Sequence, residues 1–294
     1  MERKDRLDTF GVTSLVLFSG LLALNQVLIK WGTEGFQPVF MAGLRSLFAV
    51  PCIWIGMLVL GKRVQFDLSV WRPAVLMGSL FGVEFILLFT ALDLTTVART
   101  TILFYSMPLW LALVARFFLP DEPMTPLKAL GLVLAFLGVT WAILARDTSG
   151  EASLIGDLCA LAGAICWAGI LLCARASRFA EVAPEMQLLW QVAISAPILL
   201  AASFFFGPFL RDLAMIHVAN LAFQTVFVVS MGFMFWLWLV KIYPAATIAA
   251  FSFLTPVIGV GLSWLLLGEP IGLTIFASLG LVACGLFLIN RPAP

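Results

Sequence analysis

The chain is too apolar and too poor in charge to fold as a soluble domain. Of its 294 residues, 62% are hydrophobic and only 11% are charged, whereas soluble proteins average about 25% charged residues. The formal net charge is only +1 and the sequence has no basic run, so no nucleic-acid partner is expected. The composition therefore predicts an integral membrane protein.

Length and hydropathy predict ten membrane spans joined mostly by short loops. The hydrocarbon core of a bilayer takes roughly 20 apolar residues per helix. The first span is too long for a signal-peptide core and has no clear cleavage site, so we expect it to remain in the protein. The predicted spans are 11–30, 38–60, 71–92, 97–119, 126–145, 154–174, 186–206, 217–240, 245–267 and 271–289.

Polar residues inside the first three spans are the first candidates for function. Asn25 and Gln26 are adjacent in span one, and because two amides are costly in lipid, at least one should face the bundle interior. They either hydrogen-bond a substrate carboxylate or bridge helices. Arg45 and Glu84 lie about 10 Å deep in spans two and three. We expect a buried ion pair or a shared wet cavity, in which Glu84 attracts a substrate ammonium or exchanges a proton; the alternative is a packing pair that touches no substrate.

Prolines interrupt spans four and nine. Pro108 and Pro256 remove backbone hydrogen bonds, and such breaks place polar backbone near the midplane, where transporters bind substrate. A kink that serves only packing is the alternative. Tyr105 and Phe253 each precede the proline by three residues, so their rings are candidates for stacking on a planar or apolar substrate.

Tryptophans in spans six and eight are further candidates. Trp167 lies in span six, and Trp236 and Trp238 lie in span eight but point in different directions on a helix. Trp236 aligns with a residue one turn beyond Glu84, so it is expected to line the cavity and Trp238 to face lipid. For each tryptophan, packing or lipid contact remains the alternative.

An internal repeat divides the chain into halves of five spans, 1–147 and 148–294. An odd number of spans per half predicts that the second half is threaded upside down, as in transporters with inverted repeats. Spans five and ten carry almost no interior polar groups and are expected to be bracing or dimer-contact helices. At an offset of 147 residues, Glu122-Pro123, Gly131 and Gly138 correspond to Glu269-Pro270, Ser278 and Gly285.

Charge distribution predicts the orientation. Of the 17 Lys and Arg residues, twelve fall on the side of the N-terminus and Arg45 lies within a span. The positive-inside bias then places both termini in the cytoplasm, which suggests a bacterial inner membrane. The four on the outer side are Lys30, Arg99, Arg146 and Arg211.

These features together resemble the ten-helix EamA-type members of the drug/metabolite transporter superfamily. The resemblance rests on the five-plus-five layout, the two Glu-Pro turns, the prolines of spans four and nine, Arg45 early in span two, and Ile155-Gly156-Asp157 leading towards Trp167. It implies an exporter or exchanger of small metabolites. The Trp- and Phe-rich spans look like those of the aromatic amino acid exporters.

The leading hypothesis is a secondary exporter of amino acids or similar small metabolites that works by alternating access. An exporter of nucleobases, nucleosides or flat cationic drugs is the alternative, because Glu84 and several aromatic rings suit a flat cation equally well. No Walker motif is present, and His217 is the only histidine, which argues against an ATPase, a hydrolase or a metal centre. We expect no cofactor, a small-molecule substrate, lipid contact, and a monomer or weak homodimer.

Overall fold

A computed structural model describes residues 8–118, 125–144, 153–243, 251 and 254–289. Eight helices in these ranges are long and apolar enough to cross a membrane, and two shorter apolar helices follow them. Together they account for the ten predicted spans, and the prediction of an all-α polytopic membrane protein is confirmed. The two Glu-Pro turns differ in coverage: Glu269-Pro270 is described, whereas Glu122-Pro123 lies outside the described residues.

Twelve α-helices and one π-helical segment form the described part of the bundle. Several predicted boundaries shift by about two residues, because Asp8 caps the first helix and Pro184 begins the eighth. The helices are α1 Thr9–Gly32, α2 Pro38–Val59, α3 Trp71–Leu94, α4 Val97–Phe104, α5 Met107–Phe118, α6 Pro126–Leu144, α7 Leu154–Ala176, α8 Pro184–Ser203, α9 Met215–Phe223, α10 Phe233–Ile242, α11 Leu254–Leu267 and α12 Leu273–Ile289, with the π-helical segment Gln224–Gly232 between α9 and α10.

Helices of the first predicted half pack mainly against helices of the second. α3 lies against α7 and α8, α2 against α8 and the π-helical segment, and α1 against α11. Gly78 and Gly82 allow α3 to approach α8 closely, since a Cβ on Gly78 would lie 2.6 Å from Ile194 Cβ. The largest buried cluster therefore contains residues of both halves, and neither half packs as a separate domain.

The repeated small residues of spans five and ten meet each other. A Cβ on Gly285 of α12 would lie 2.5 Å from the Ala135 nitrogen of α6, and a Cβ on Gly138 would lie 2.9 Å from the Ser278 carbonyl oxygen. Backbone thus packs directly on backbone along this interface, which only very small side chains permit. Spans five and ten therefore brace one another within the chain, and bracing is one of the two roles that the sequence predicted for them.

Two sets of contacts define the two ends of the bundle. At one end, the turn after α1 pairs with the loop after α8, where the Gln37 nitrogen donates to the Phe209 carbonyl at 2.9 Å. At the opposite end, Asp8 before α1 accepts a 2.6 Å hydrogen bond from Tyr243 after α10. α1 ends at the first of these ends, whereas α7, the first helix of the second predicted half, begins there.

Candidate functional site

Span four is interrupted in its middle. α4 ends at Phe104 and α5 begins at Met107. Pro108 has no N–H to donate to the Phe104 carbonyl, so the helical ladder stops at this point. The Ser106 hydroxyl donates to the Leu103 carbonyl at 2.5 Å and accepts from Trp110 Nε1 at 3.1 Å. The break is thus stabilised by side-chain hydrogen bonds that replace part of the lost ladder.

An aromatic wall lies beside this break. Phe104 and Trp167 are stacked with ring centroids 5.0 Å apart, and Tyr105 meets Trp167 edge-on at 5.6 Å. Phe104 and Tyr105 are buried, whereas Trp167 of α7 is half-buried. The structure therefore brings together two residues that the sequence proposed, Tyr105 and Trp167, and adds Phe104.

The amides of span one divide between two environments. Gln26 is buried, its Oε1 accepts a 2.6 Å hydrogen bond from Thr101 of α4, and its side chain lies next to Tyr105. Asn25 is half-buried, and its Oδ1 has no hydrogen-bond partner. Gln26 thus places a polar group next to the aromatic wall, and its hydrogen bond to Thr101 links α1 to α4.

Glu84 and Arg45 are both buried but do not form a direct ion pair. Glu84 is 4% exposed and its Oε2 has no hydrogen-bond partner. Arg45 is 2% exposed, lies over the Phe85 and Phe89 rings at 4.4 and 4.6 Å, and donates to Gln224 Oε1 at 3.4 Å. The direct pair expected from the sequence is therefore absent, because the two aromatic faces and an amide receive the guanidinium instead.

Glu84 lies close to the aromatic wall. A Cβ added to Gly163 of α7 would lie 3.3 Å from the Phe104 ring and 3.7 Å from the Glu84 carbonyl oxygen. Glu84 is ten residues before the end of α3 at Leu94, about 15 Å along the helix axis. Six residues, all buried except the half-buried Trp167, form a layer that we call the central site: Gln26, Arg45, Glu84, Phe104, Tyr105 and Trp167.

Three other predicted residues lie outside the central site or outside the described residues. Trp236 stacks on Phe18 at 6.2 Å and packs in a separate cluster with Leu15 and Tyr243. Pro256 lies buried in the first turn of α11. Phe253 lies outside the described residues.

The π-helical segment explains why Trp236 does not follow the repeat alignment. A π-turn contains an additional residue compared with an α-turn. Residues after Gly232 are consequently rotated about the axis relative to an uninterrupted helix such as α3. The repeat alignment placed Trp236 on the helix face equivalent to that of Glu84. This placement assumes the same helix geometry in both halves, which the π-helical segment breaks.

Sequence reasoning missed a buried ion pair at the end of the bundle where α4 begins. Arg99 of α4 donates from Nε to Asp157 Oδ1 at 3.0 Å and from Nη2 to Oδ2 at 2.6 Å, and Nη2 also donates to the Ala142 carbonyl. Thr95 donates to Asp157 Oδ1 at 3.1 Å. α4, α6 and α7 are thereby joined. The available signal was Asp157 in the Ile155-Gly156-Asp157 motif and Arg99 among the few outer-side cations.

The second Glu-Pro turn reaches the same end. Glu269 accepts hydrogen bonds from the backbone nitrogens of Val97 at 2.7 Å and Ala98 at 3.0 Å. Here the carboxylate satisfies two otherwise unpaired donors and interacts favourably with the positive end of the helix dipole. We call the end of the bundle formed by Thr95, Arg99, Asp157 and Glu269 the clamped end.

An exposed ion pair completes the clamped end. Arg211, in the loop after α8, donates to Asp93 at 2.6 and 2.9 Å and to the Thr33 carbonyl at 2.9 Å. The hydrogen bonds to Asp93 raise the pKa of Arg211 above its ordinary value. Loops from both predicted halves are thus tied together above the central site.

This architecture defines an α-helical membrane protein with a buried polar and aromatic layer beneath one closed end. A family model described as the EamA-like transporter family matches residues 9–144 and again 154–291. The chain therefore belongs to that family, and it is a membrane transporter rather than an enzyme. One match falls in each of the two predicted halves.

Full-length relatives carry transporter names. The chain is 24% identical to the uncharacterized transporter YoaV of Bacillus subtilis (strain 168), over 95% of this chain and 94% of that one. It is 26% identical to a probable amino-acid metabolite efflux pump of Escherichia coli (strain K12), over 98% and 95%. A solved crystal structure at 20% identity superposes with a TM-score of 0.66 over 94% and 96%, which supports the fold alone.

Proposed function

We propose that this transporter exports amino acids, aromatic and other neutral ones, or similar small metabolites by alternating access. The observation that carries the proposal is the central site, where a buried carboxylate lies beside an aromatic wall at a helix break. A buried ionisable group in a membrane bundle is costly unless it has a function. The name of the Escherichia coli relative, a probable amino-acid metabolite efflux pump, favours amino acids as the first class to test.

The chemistry of the central site suits a zwitterion with an apolar side chain. The Glu84 carboxylate would attract the substrate ammonium, and Arg45 or the Gln26 amide would attract its carboxylate. Phe104 and Trp167 present ring faces on which an aromatic side chain could stack. A proton on Glu84 would remove its attraction for the ammonium, so the same residue could couple transport to a pH gradient.

We also propose that the two halves cross the membrane in opposite directions and that both termini are cytoplasmic. The excess of Lys and Arg on the side of the N-terminus supports this orientation. The opposite starting ends of α1 and α7 support the inversion. The clamped end would then face the outside of a bacterial inner membrane, and alternating access would require its hydrogen bonds to break and reform.

Export of nucleobases, nucleosides or flat cationic drugs is a second candidate. The parallel stack of Phe104 and Trp167, with an interplanar angle of 18°, favours any flat ring system. A flat cation would use Glu84 as its counter-charge and would leave Arg45 without a role in recognition. Sensitivity to Arg45 therefore separates the two classes.

Transport by the purified protein in proteoliposomes tests the proposal. We expect saturable uptake of labelled tryptophan, threonine or alanine that depends on a pH gradient, and loss of the pH dependence in Glu84→Gln. Glu34→Gln is the matched control, because Glu34 is exposed at the clamped end. Absence of flux for all three amino acids together with saturable flux of adenine or a flat cation would favour the second candidate. Absence of any saturable flux would contradict both.

A further inference from the structure

A basic cleft opens at the end of the bundle opposite the clamped end. It has a volume of about 490 Å³ and lies where α3 begins and α7 ends. The central site is separated from it, since Glu84 lies thirteen residues after Trp71 on α3, about 20 Å along the axis. The cleft is lined by Ser69, Trp71, Arg72, Pro73, Ser177 and Arg178.

Two guanidinium groups dominate the chemistry of this cleft. Arg72 and Arg178 are exposed, and among the described residues neither forms an ion pair with a carboxylate. Arg72 lies over the Trp71 ring at 5.5 Å. Guanidinium groups that point into a cleft without a paired carboxylate are suited to bind the oxygens of a phosphate in a bidentate manner.

The two serine hydroxyl groups of the cleft form hydrogen bonds with other groups of the protein. Ser177 donates to the Cys173 carbonyl at 2.6 Å and accepts from the Phe179 nitrogen at 3.2 Å. Ser69 donates to Asp67 Oδ2 at 2.8 Å. These bonds hold the end of α7 and the turn before α3 in place, so recognition of a ligand falls to the arginines.

The Asp67 carboxylate lies beside this cleft, because it accepts hydrogen bonds from the lining residue Ser69. Its hydrogen bonds from Ser69, and the charge of Arg178, lower its pKa below the ordinary value. It therefore stays anionic at neutral pH, and the two arginines and one aspartate leave a net positive charge. An anion bound between the arginines would be repelled by Asp67. Removing the charge of Asp67 should therefore tighten anion binding, whereas removing the arginine charges should weaken it.

The surroundings of the cleft point to a membrane interface. Trp71 is 52% exposed and Leu68 is 71% exposed next to the arginines. Exposed tryptophan beside arginine is typical of the level of lipid headgroups, and basic pockets between helices on the cytoplasmic side bind anionic headgroups. The cytoplasmic assignment rests on the proposed orientation.

We propose that this cleft binds a phosphate group, carried by an anionic phospholipid headgroup or by a soluble phosphate compound. Arg72 and Arg178 hold the phosphate oxygens, Trp71 packs beside the group at the interface, and Asp67 limits the affinity. The site is independent of the transported substrate. Occupancy links the start of α3, which carries Glu84, to the end of α7, which carries Trp167.

Native mass spectrometry of the full chain tests the proposal, with phosphatidylglycerol, phosphatidylcholine and inorganic phosphate as separate probes. We expect phosphatidylglycerol to bind more tightly than phosphatidylcholine, and the double substitution Arg72→Gln/Arg178→Gln to weaken it by about twentyfold. Asp67→Asn should tighten binding. Arg63→Gln is the control, because Arg63 is exposed near this end but does not line the cleft.

Each outcome distinguishes the source of the phosphate or removes the site. Arginine-dependent binding of phosphatidylglycerol identifies a lipid headgroup, and arginine-dependent binding of inorganic phosphate without a lipid preference identifies a soluble compound. The proposal is overturned if Arg72→Gln/Arg178→Gln weakens the binding of neither phosphatidylglycerol nor inorganic phosphate, or if Arg63→Gln weakens binding equally. Arg72→Lys/Arg178→Lys retains the charges and should restore part of the affinity, which separates lost charge from a folding defect.

Discussion

Arg99 and Asp157 form a buried, doubly hydrogen-bonded ion pair that joins α4 to α7 across the clamped end. Both side chains are buried almost completely, and Arg99 also donates to the Ala142 carbonyl at the end of α6. A single side chain from the first predicted half is thus held by two other helices. Arg99 lies in the interrupted span itself, five residues before Phe104 of the central site.

Removing only one of the two charges should lower the stability of the protein. Arg99→Gln or Asp157→Asn alone leaves a buried charge without a counter-charge, which typically costs about 3–5 kcal/mol of stability. The double substitution removes both charges and should cost less than the sum of the two. The measurement is a double-mutant cycle on the unfolding of the detergent-solubilised protein. Additive single effects would show that the two charges do not stabilise each other.

Glu269 should control how often the clamped end opens. Glu269→Gln keeps one acceptor for the α4 nitrogens but loses the negative charge, which weakens the interaction with the helix dipole by about 0.3–1 kcal/mol. We therefore expect up to roughly fivefold faster labelling of a buried reporter, Thr100→Cys, by a membrane-impermeant thiol reagent. Glu34→Gln, at the same end, is the control. Unchanged labelling would mean that Glu269 stabilises α4 without holding the end closed.

The two predicted tryptophans should separate in their effects on transport. Trp167 stacks on Phe104 in the central site, whereas Trp236 packs against Phe18 in another cluster. Trp167→Leu should raise the KM for aromatic substrates by about two- to tenfold, since an aromatic stack contributes about 0.5–1.5 kcal/mol beyond its buried area. Trp236→Leu should leave relative substrate preference unchanged. Equal changes in preference for both variants would place Trp236 on the substrate path.

Two glycines of α12 provide a matched test of the α6–α12 interface. A Cβ on Gly285 would lie 2.6 Å from the Gly131 carbonyl oxygen, whereas a Cβ on Gly280 meets nothing within 4 Å. Gly285→Ala should force the helices apart and destabilise the protein by about 1–3 kcal/mol. Gly280→Ala should be neutral or slightly stabilising. Thermal unfolding of both variants is the measurement, and equal midpoints would refute the close backbone contact.

The spans and the bracing interface could be predicted from sequence because they depend on local composition. Apolar runs of sufficient length identify helices in a bilayer, and repeated small residues identify faces where helices approach closely. Gly131 and Gly285 follow this rule. Their pairing needed only the additional idea that equivalent helices in a duplicated bundle meet.

The central site could be predicted only in part. The sequence singled out Tyr105 because it precedes the proline of span four, and Trp167 as a tryptophan of span six; the structure brings the two rings into contact, and their role in substrate binding stays a prediction. The prediction that Arg45 pairs directly with Glu84 was wrong. The position of a residue within a span indicates its depth in the membrane, but it does not reveal the aromatic rings that also contact the side chain. Arg99 and Asp157 were missed as a pair, since 58 residues separate them along the chain.

The backbone contact between α6 and α12 has a practical consequence for following motion in this protein. With carbonyl oxygens of one helix against the Cα atoms of the other, no side-chain layer is available to absorb sliding or tilting. We therefore expect the two helices to move as one body in the proposed alternating-access cycle. A spectroscopic label on α6 or α12 would accordingly serve as a fixed reference point from which distances to the other helices can be measured.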